Sequence, residues 1–286
     1  MAKSYRSELV GCFGCPIDEN PTGVVEEAAF REAGLDYRYL TVLVNPEDLG
    51  KAMDGVRAFH MRGVNLTIPH KVKVVQYLDE LSEAAEIIGA VNMVVNNGGR
   101  LWGDNTDGKG WLTSLHNEAI DVSGKHVTIL GAGGAARAIS VESALAGARE
   151  ITIANIVREQ GEELADLINA RTPAKASFVF WDETPFSVPA DTDIFVNATS
   201  VGLFPNTDQK PNVDYDTVKA SMVVTDVIFN DPNSLFLQEA GDRGAKTING
   251  LGMLANQAAM NFKLWTGTDA PVGLMMDVLR REFGLQ

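Results

Sequence analysis

Residues 126–154 constrain this chain more than any other stretch. His126 to Leu130 is an apolar run that reads as a strand, and Gly131-Ala132-Gly133-Gly134-Ala135-Ala136 follows it. A helix is expected from Ala135 to about Ala146, closed by Gly147, and Glu150 to Ala154 reads as the next strand. Strand, glycine loop, helix and strand within about 30 residues form a βαβ unit, the context that gives a G-x-G-G-x-A loop its meaning. The glycines let the chain turn sharply, let backbone approach a pyrophosphate, and let the helix pack close to its strand. The helix N-terminus then faces the anion.

Further strands are expected at Ser177 to Phe180, Ile194 to Ala198, Val223 to Val227 and Ala245 to Ile248, with helices between most of them. That alternation predicts a doubly wound parallel sheet. The first 107 residues are less regular. Strands are expected at Glu8 to Gly14, Tyr37 to Val44 and Gly63 to Ile68. Helices are expected at Thr22 to Ala33 and Pro46 to Met53, with another opening at Pro69. Asn96-Asn97-Gly98-Gly99 joins Ala90–Val95 to Arg100–Gly103 as a hairpin turn. Two final helices, Leu251 to Leu264 and about Val272 to Glu282, come after the last sheet strand and are free to pack back on the first domain. The fold class is therefore α/β. Residues 1–108 and 250–286 are expected to form a mixed α/β substrate domain, and 109–249 a Rossmann-type dinucleotide domain.

The chain has 286 residues and a formal charge of −14, which argues against nucleic acid and against anionic membrane surfaces. It contains no run of 18 apolar residues, and Met1 to Ser7 lacks the apolar core of a signal peptide, so a cytoplasmic location is expected. Its two cysteines, Cys12 and Cys15, form a lone C-x-x-C that cannot complete a tetrahedral zinc site, and the four histidines are scattered. No metal is expected.

Two further stretches carry chemistry: Leu66-Thr67-Ile68-Pro69-His70-Lys71 and Gly103-Asp104-Asn105-Thr106-Asp107-Gly108. A lysine and an aspartate offered to a dinucleotide domain suit hydride transfer at a secondary alcohol, where a hydroxyl proton must be taken up. Pro69 is expected at the first helical position, placing Lys71 in a first turn where the helix dipole lowers an amine's pKa. A carboxylate such as Asp107 would raise it again and hold the amine in place.

Six motifs in order resemble the shikimate/quinate dehydrogenase family over nearly the whole chain. They are G-V-N-L-T-I-P-H-K at 63–71, G-A-V-N at 89–92, G-D-N-T-D-G at 103–108, G-A-G-G-A-A at 131–136, N-A-T-S-V-G at 197–202 and G-L-G-M-L-A-N-Q-A at 250–258. The resemblance implies Lys71 as acid/base with Asp107 as its partner. It implies Thr67, Asn92 and Gln257 as substrate ligands. Gly131, Ala132, Gly133, Gly134 and Ala135 would hold the cofactor pyrophosphate. Thr199 and Val201 would lie beside the cofactor, and Val227, Gly250 and Met253 near its nicotinamide end. The implied reaction is hydride transfer between a nicotinamide cofactor and a hydroxyl of a cyclic polyol acid of the shikimate or quinate type.

Three departures bear on this. Asn20 and Thr22 stand where the family has two serines for the substrate carboxylate, and Asp18 and Glu19 add negative charge to that loop. Phe229 and Met93 replace a tyrosine and a threonine. In A-N-I-V-R-E-Q at 154–160, Ile156 and Gln160 occupy positions that are basic in NADP-using members, while Asn155 suits ribose hydroxyls. The cofactor reading leans to NAD, with NADP possible. An uncharged cyclitol is the alternative substrate, and a catalytically silent ligand sensor the alternative role. A methylenetetrahydrofolate dehydrogenase with a similar lysine is disfavoured by N-A-T-S-V-G and M-L-A-N-Q-A. The expected partner is a small molecule, and the expected assembly a monomer or homodimer.

Overall fold

The computed structural model describes residues 5–285. Met1 to Ser4 of the polar start and Gln286 lie outside them. The chain divides into two units. One holds the residues up to Thr106 and again from Gln257, and the other runs from Asp107 to Asn256.

The first unit begins β1 (Glu8–Gly14), α1 (Thr22–Glu32), β2 (Tyr37–Leu43), α2 (Leu49–Ala58) and β3 (Gly63–Leu66). It continues α3 (His70–Lys73), β4 (Glu80–Leu81), α4 (Glu83–Ile88), β5 (Met93–Asn97) and β6 (Arg100–Asp104). Its sheet runs β2-β1-β3-β5-β6-β4. The β2, β1 and β3 strands are parallel, and β5 is antiparallel to β3 and β6. The β5–β6 hairpin turns through Gly98 and Gly99 at φ +64° and +100°, the left-handed region where glycine carries no steric penalty. Leu49, Met53, Val56, Val64, Leu66 and Leu101 form the heart of its core.

Two expectations shift here. The helix expected over 46–53 is a 3-10 turn at Pro46–Asp48 followed by α2, which runs five residues further. The helix after Pro69 is a single α-helical turn, and Pro69 is its N-cap at φ −99° rather than its first residue. A macrodipole is a sum over aligned peptides, so a four-residue turn gives Lys71 little of one.

The second unit contains α5 (Asp107–Asn117), β7 (His126–Leu130), α6 (Gly134–Leu145), β8 (Glu150–Asn155), α7 (Arg158–Arg171) and β9 (Lys175–Phe180). Then come β10 (Phe186–Ser187), β11 (Ile194–Asn197), β12 (Val213–Asp214), β13 (Val223–Asp226), α8 (Leu235–Asp242) and β14 (Lys246–Ile248). Six strands form one sheet in the order β14-β13-β11-β7-β8-β9, every pair parallel. Numbered within the sheet this is the Rossmann order 3-2-1-4-5-6, which reverses between β7 and β11.

The sequence reading carried the first domain to residue 108, but Asp107 and Gly108 open α5 in the second unit. A Cβ on Gly108 would stand 2.3 Å from the Ala138 carbonyl oxygen, so α5 lies against α6 at a point only glycine permits. The Trp111 indole N–H donates to Thr225 Oγ1 at 3.0 Å, tying α5 to β13. At the other boundary, α9 (Leu251–Thr266) gives its first six residues to the second unit and the rest to the first, followed by α10 (Val272–Glu282). In the first unit Phe262 stacks on Phe30 at 5.2 Å, and the Trp265 indole donates to the Val94 carbonyl at 3.0 Å. Gly63 makes room for that indole; a Cβ there would lie 2.3 Å from its nitrogen.

Candidate active site

In the first unit most of the predicted substrate residues fall on one chain of hydrogen bonds. The Asn20 amide nitrogen lies 3.9 Å from Cys12 Sγ, and its oxygen accepts from the Thr22 backbone N–H at 3.0 Å. The Tyr39 hydroxyl, close to Cys12 and Thr22, donates to Asn65 Oδ1 at 2.9 Å. Asn65 donates to the Asn92 carbonyl at 3.1 Å, and the Asn92 side chain accepts from the Thr106 N–H at 2.8 Å. Thr106 Oγ1 lies 2.9 Å from Asn261 Oδ1, and Asn261 donates to Gln257 Oε1 at 3.0 Å. The register explains the assembly: Cys12 pairs with Asn65 across β1 and β3, and Tyr39 lies opposite Val10 on β2.

Thr67 and Lys71 flank this chain. The Thr67 N–H donates to the Phe13 carbonyl at 3.0 Å, and a Cβ on Gly14 would collide with the Thr67 methyl at 2.4 Å. The Lys71 turn is fixed by its carbonyl, which accepts from the Val91 N–H at 2.8 Å, and by buried His70, whose ring Nε2 lies 2.8 Å from the Val44 carbonyl. Lys71 is close enough to Cys12 for its charge to favour the thiolate. Burial outweighs that and pushes the thiol up to about 12, so Cys12 stays neutral. Glu26 shares the buried face of α1 with Thr22, one turn on. Burial drives its carboxyl well above the usual range, and neither oxygen has a hydrogen-bond partner. Beside Asn20 and Thr22 the Cys12 thiol is therefore neutral, and burial disfavours charge on Glu26.

Sequence reading missed Cys12, Glu26, Tyr39, Asn65, Thr106 and Asn261 as members of this cluster. Asn65 and Thr106 stand inside the 63–71 and 103–108 motifs, and Asn261 lies four residues after Gln257 on one helix face, so these three carried a usable signal.

In the second unit, the glycine loop sits at the reversal of strand order. Gly131 has φ +103°, and a Cβ there would stand 3.0 Å from the Ala198 carbonyl oxygen at the end of β11. Ala132 is buried, while Gly133 and Gly134 are exposed with nothing within 4 Å of their Cβ positions. Gly133 caps α6 without a side-chain bond, and the first turn, with half-buried Ala135, contains no acidic residue. The free N–H groups of a twelve-residue helix thus face open space, as a pyrophosphate requires.

Thr199 and Val201 are set by Asn197, whose oxygen accepts from the Thr199 N–H at 3.1 Å and hydroxyl at 2.7 Å, while Thr199 Oγ1 accepts from the Val201 N–H at 3.1 Å. The Val227 N–H donates to the Asn197 carbonyl and the Gly250 N–H to Ile228, and half-buried Met253 follows in α9. At the end of β8, buried Asn155 donates to its own loop at the Val157 carbonyl, 2.9 Å away, and Ile156 is 67% exposed. The Arg158 guanidinium lies 4.5 Å over the Phe180 ring and 3.3 Å from Glu162. Asp107 stands at the first position of α5 in this same unit.

One group absent from the sequence reading is a cluster of His126, Glu150 and Asp191 at the starting ends of β7 and β8. Arg149 lies 3.7 Å from Asp191 and 4.0 Å from Glu150, so a cation is already supplied there.

Residues 12–94 match the shikimate dehydrogenase substrate binding domain, and residues 250–280 the shikimate 5'-dehydrogenase C-terminal domain. The shikimate dehydrogenase (NADP(+)) of Desulforamulus reducens is 41% identical over 279 residues, covering 97% of this chain and 96% of that one. The chain belongs to the shikimate dehydrogenase family. The fold agrees. The ligand-free 5-ketofructose reductase of Gluconobacter sp. strain CHM43 superposes with a TM-score of 0.92 at 44% identity, covering 98% of this chain and all of that one. The shikimate 5-dehydrogenase of Listeria monocytogenes, solved with shikimate and NAD, gives 0.90 at 35% identity over 96% and 97%. The chain is thus an oxidoreductase of the shikimate/quinate type that uses a nicotinamide dinucleotide. Among the described residues no helix is long and apolar enough to cross a membrane.

Proposed function

We propose that this enzyme exchanges a hydride between a nicotinamide dinucleotide and an uncharged polyhydroxy substrate, a keto sugar or cyclitol, and handles shikimate poorly. Lys71 serves as acid/base with Asp107 as its partner. Thr67, Asn92, Gln257, Asn20 and Thr22 take the substrate hydroxyls. When bound, the cofactor supplies or accepts the hydride. Lys71 gives the proton to the carbonyl oxygen on reduction and takes it back on oxidation.

The observation that carries the substrate reading is the loop at Asn20. Two serines that would grip a carboxylate are replaced by an amide already bonded to Thr22 and a threonine, beside a neutral thiol and a carboxyl whose charge burial disfavours. Asp18 and Glu19 add charge of the wrong sign for an anion. A site whose polar groups lack their partners discriminates strongly, because buried unpaired groups are costly. The likeness to a protein that reduces 5-ketofructose, an uncharged keto sugar, supports the same reading. The second reading, a cyclic polyol acid, is favoured by the curated relatives named shikimate dehydrogenase.

Steady-state kinetics with 5-ketofructose, cyclitols, shikimate and quinate separate the two. We expect kcat/KM on shikimate well below about 10⁴ M⁻¹s⁻¹, the low end of ordinary enzymes. Asn20→Ser combined with Thr22→Ser should raise it. Efficient wild-type turnover of shikimate would overturn the neutral-substrate reading and leave a biosynthetic shikimate dehydrogenase.

For the cofactor we favour NAD. Ile156 and Val157 offer a 2'-phosphate no charge, and Arg158 is engaged with Phe180 and Glu162. The expected result is NAD binding at least as tight as NADP binding. Ile156→Arg should shift the ratio toward NADP through charge-assisted bonds to the phosphate. A wild-type preference for NADP, the cofactor named for the curated relatives, would sink this assignment. We place the protein in the cytoplasm, where its two free thiols would stay reduced, as a monomer or homodimer.

A further inference from the structure

A buried carboxylate stands at the end of β13, apart from the Lys71 acid/base. Asp226 is 2% exposed and paired in register with Asn197 at the end of β11. Its Oδ1 accepts from Asn197 Nδ2 at 3.0 Å and from the Ile228 N–H at 3.0 Å, and its Oδ2 accepts from the Ser234 hydroxyl at 2.6 Å. All three partners are donors, so the arrangement is built for the ionised form.

The consequence passes through the Asn197 amide. Its nitrogen is held on Asp226, so its oxygen must face the other way, where it collects the Thr199 N–H and hydroxyl. Thr199 Oγ1 then takes the Val201 N–H. The same carboxylate holds Ile228, whose carbonyl accepts from the Gly250 N–H. A single anion therefore sets the segment 199–201, the segment 227–228 and the start of α9.

We propose that Asp226 is the positioning residue of the cofactor-side loops, acting through Asn197 and Ile228 to hold Thr199, Val201 and Val227 in their binding arrangement. This rests on the reading that those three residues flank the nicotinamide cofactor.

The acid has its own titration. Burial raises Asp226 from the ordinary aspartate value to about 6, against the pull of Ser234, Ile228 and Asn197. The ionisable groups facing it are Asp231, on the turn after β13, whose charge adds to the rise, and Tyr215, whose hydroxyl is itself pushed up partly by Asp226. At the N-cap of α8 Ser234 presents its hydroxyl, while Glu239 of α8 and Arg243 at its C-cap act on Tyr215. Below pH about 6 the carboxyl gains a proton that must be donated onward, and the Asn197 and Ile228 bonds lose their charge assistance. That protonation does not by itself weaken the fold. A carboxyl with a raised folded-state pKa contributes stability below its unfolded value and loses it as pH rises through about 6. Loss of affinity on the acid side is thus separable from loss of fold.

The test is equilibrium binding of NADH and of NADPH to the whole protein by nucleotide fluorescence, between pH 5 and 8. We expect wild-type Kd to weaken severalfold, up to about tenfold, as pH falls through 6. Asp226→Asn, a mimic of the protonated acid, should show the weaker acid-side Kd at every pH with no step. Asp226→Ala should weaken binding at pH 8 by more than tenfold; if it does not fold, the Asn variant decides alone. An Asn variant that binds like wild type at pH 8, or keeps the wild-type step, overturns the proposal. Failure of the wild type to bind either nucleotide at any pH would instead remove the cofactor placement on which it stands.

Discussion

Lys71→Ala should lower kcat by about 10²–10⁴-fold, the usual worth of a positioned acid/base. KM should move much less, because the lysine acts mainly on the proton in flight rather than on the bound ground state. The turn is held by the Lys71 carbonyl on Val91 and by His70 on Val44, neither of which needs the amine. Loss of rate with an unchanged melting profile is the expected pair of results. Full activity in the alanine variant would remove Lys71 from the mechanism.

Asp107→Asn should also cost most of the activity, since an amide can neither hold an ammonium by charge nor accept its proton. The double variant should be little worse than either single one, because residues that act as a unit lose the same thing once. Losses that multiply would mean two independent roles. Asp107 opens α5, where a carboxylate meets the positive end of an eleven-residue helix, and that helix is anchored by Trp111 on Thr225. Measured helicity should therefore change little in Asp107→Asn.

The parallel sheet was legible because its strands, such as 126–130 and 194–197, are mostly apolar on both faces, the mark of strands buried on both sides. The glycine loop was legible because each glycine answers a local need, at Gly131 a positive φ beside another strand's carbonyl. Helix α5 was not. Asp107-Gly108-Lys109-Gly110 reads as a turn, and the close contact that calls for glycine at 108 comes from Ala138, thirty residues on. Helix α4 is only six residues long, too short for periodicity; its Ser82 cap and its end at Gly89, φ +71°, were the available signs. The motif residues of the substrate cluster were visible by resemblance. Tyr39 was not, because only strand register brings it in; Asn65 stands inside the 63–71 motif and Asn261 one turn after Gln257, but their partners come from distant stretches. Asp226 was missed for the same reason: its meaning lies in its neighbour across the sheet.

The second unit is one unbroken stretch, while the first is written in two pieces, before Asp107 and after Asn256. Emergence from a ribosome therefore runs against the usual order, in which the N-terminal domain folds first. The opening hundred residues leave without the helix that supplies Phe262 to Phe30 and Trp265 to Val94. At ordinary synthesis rates that helix arrives on the order of ten seconds or more later, after the dinucleotide unit is nearly all made. For that interval Phe30 on α1 and the Val94 carbonyl on β5 stay uncovered, open to chaperones. The first piece completed can be the second one encoded.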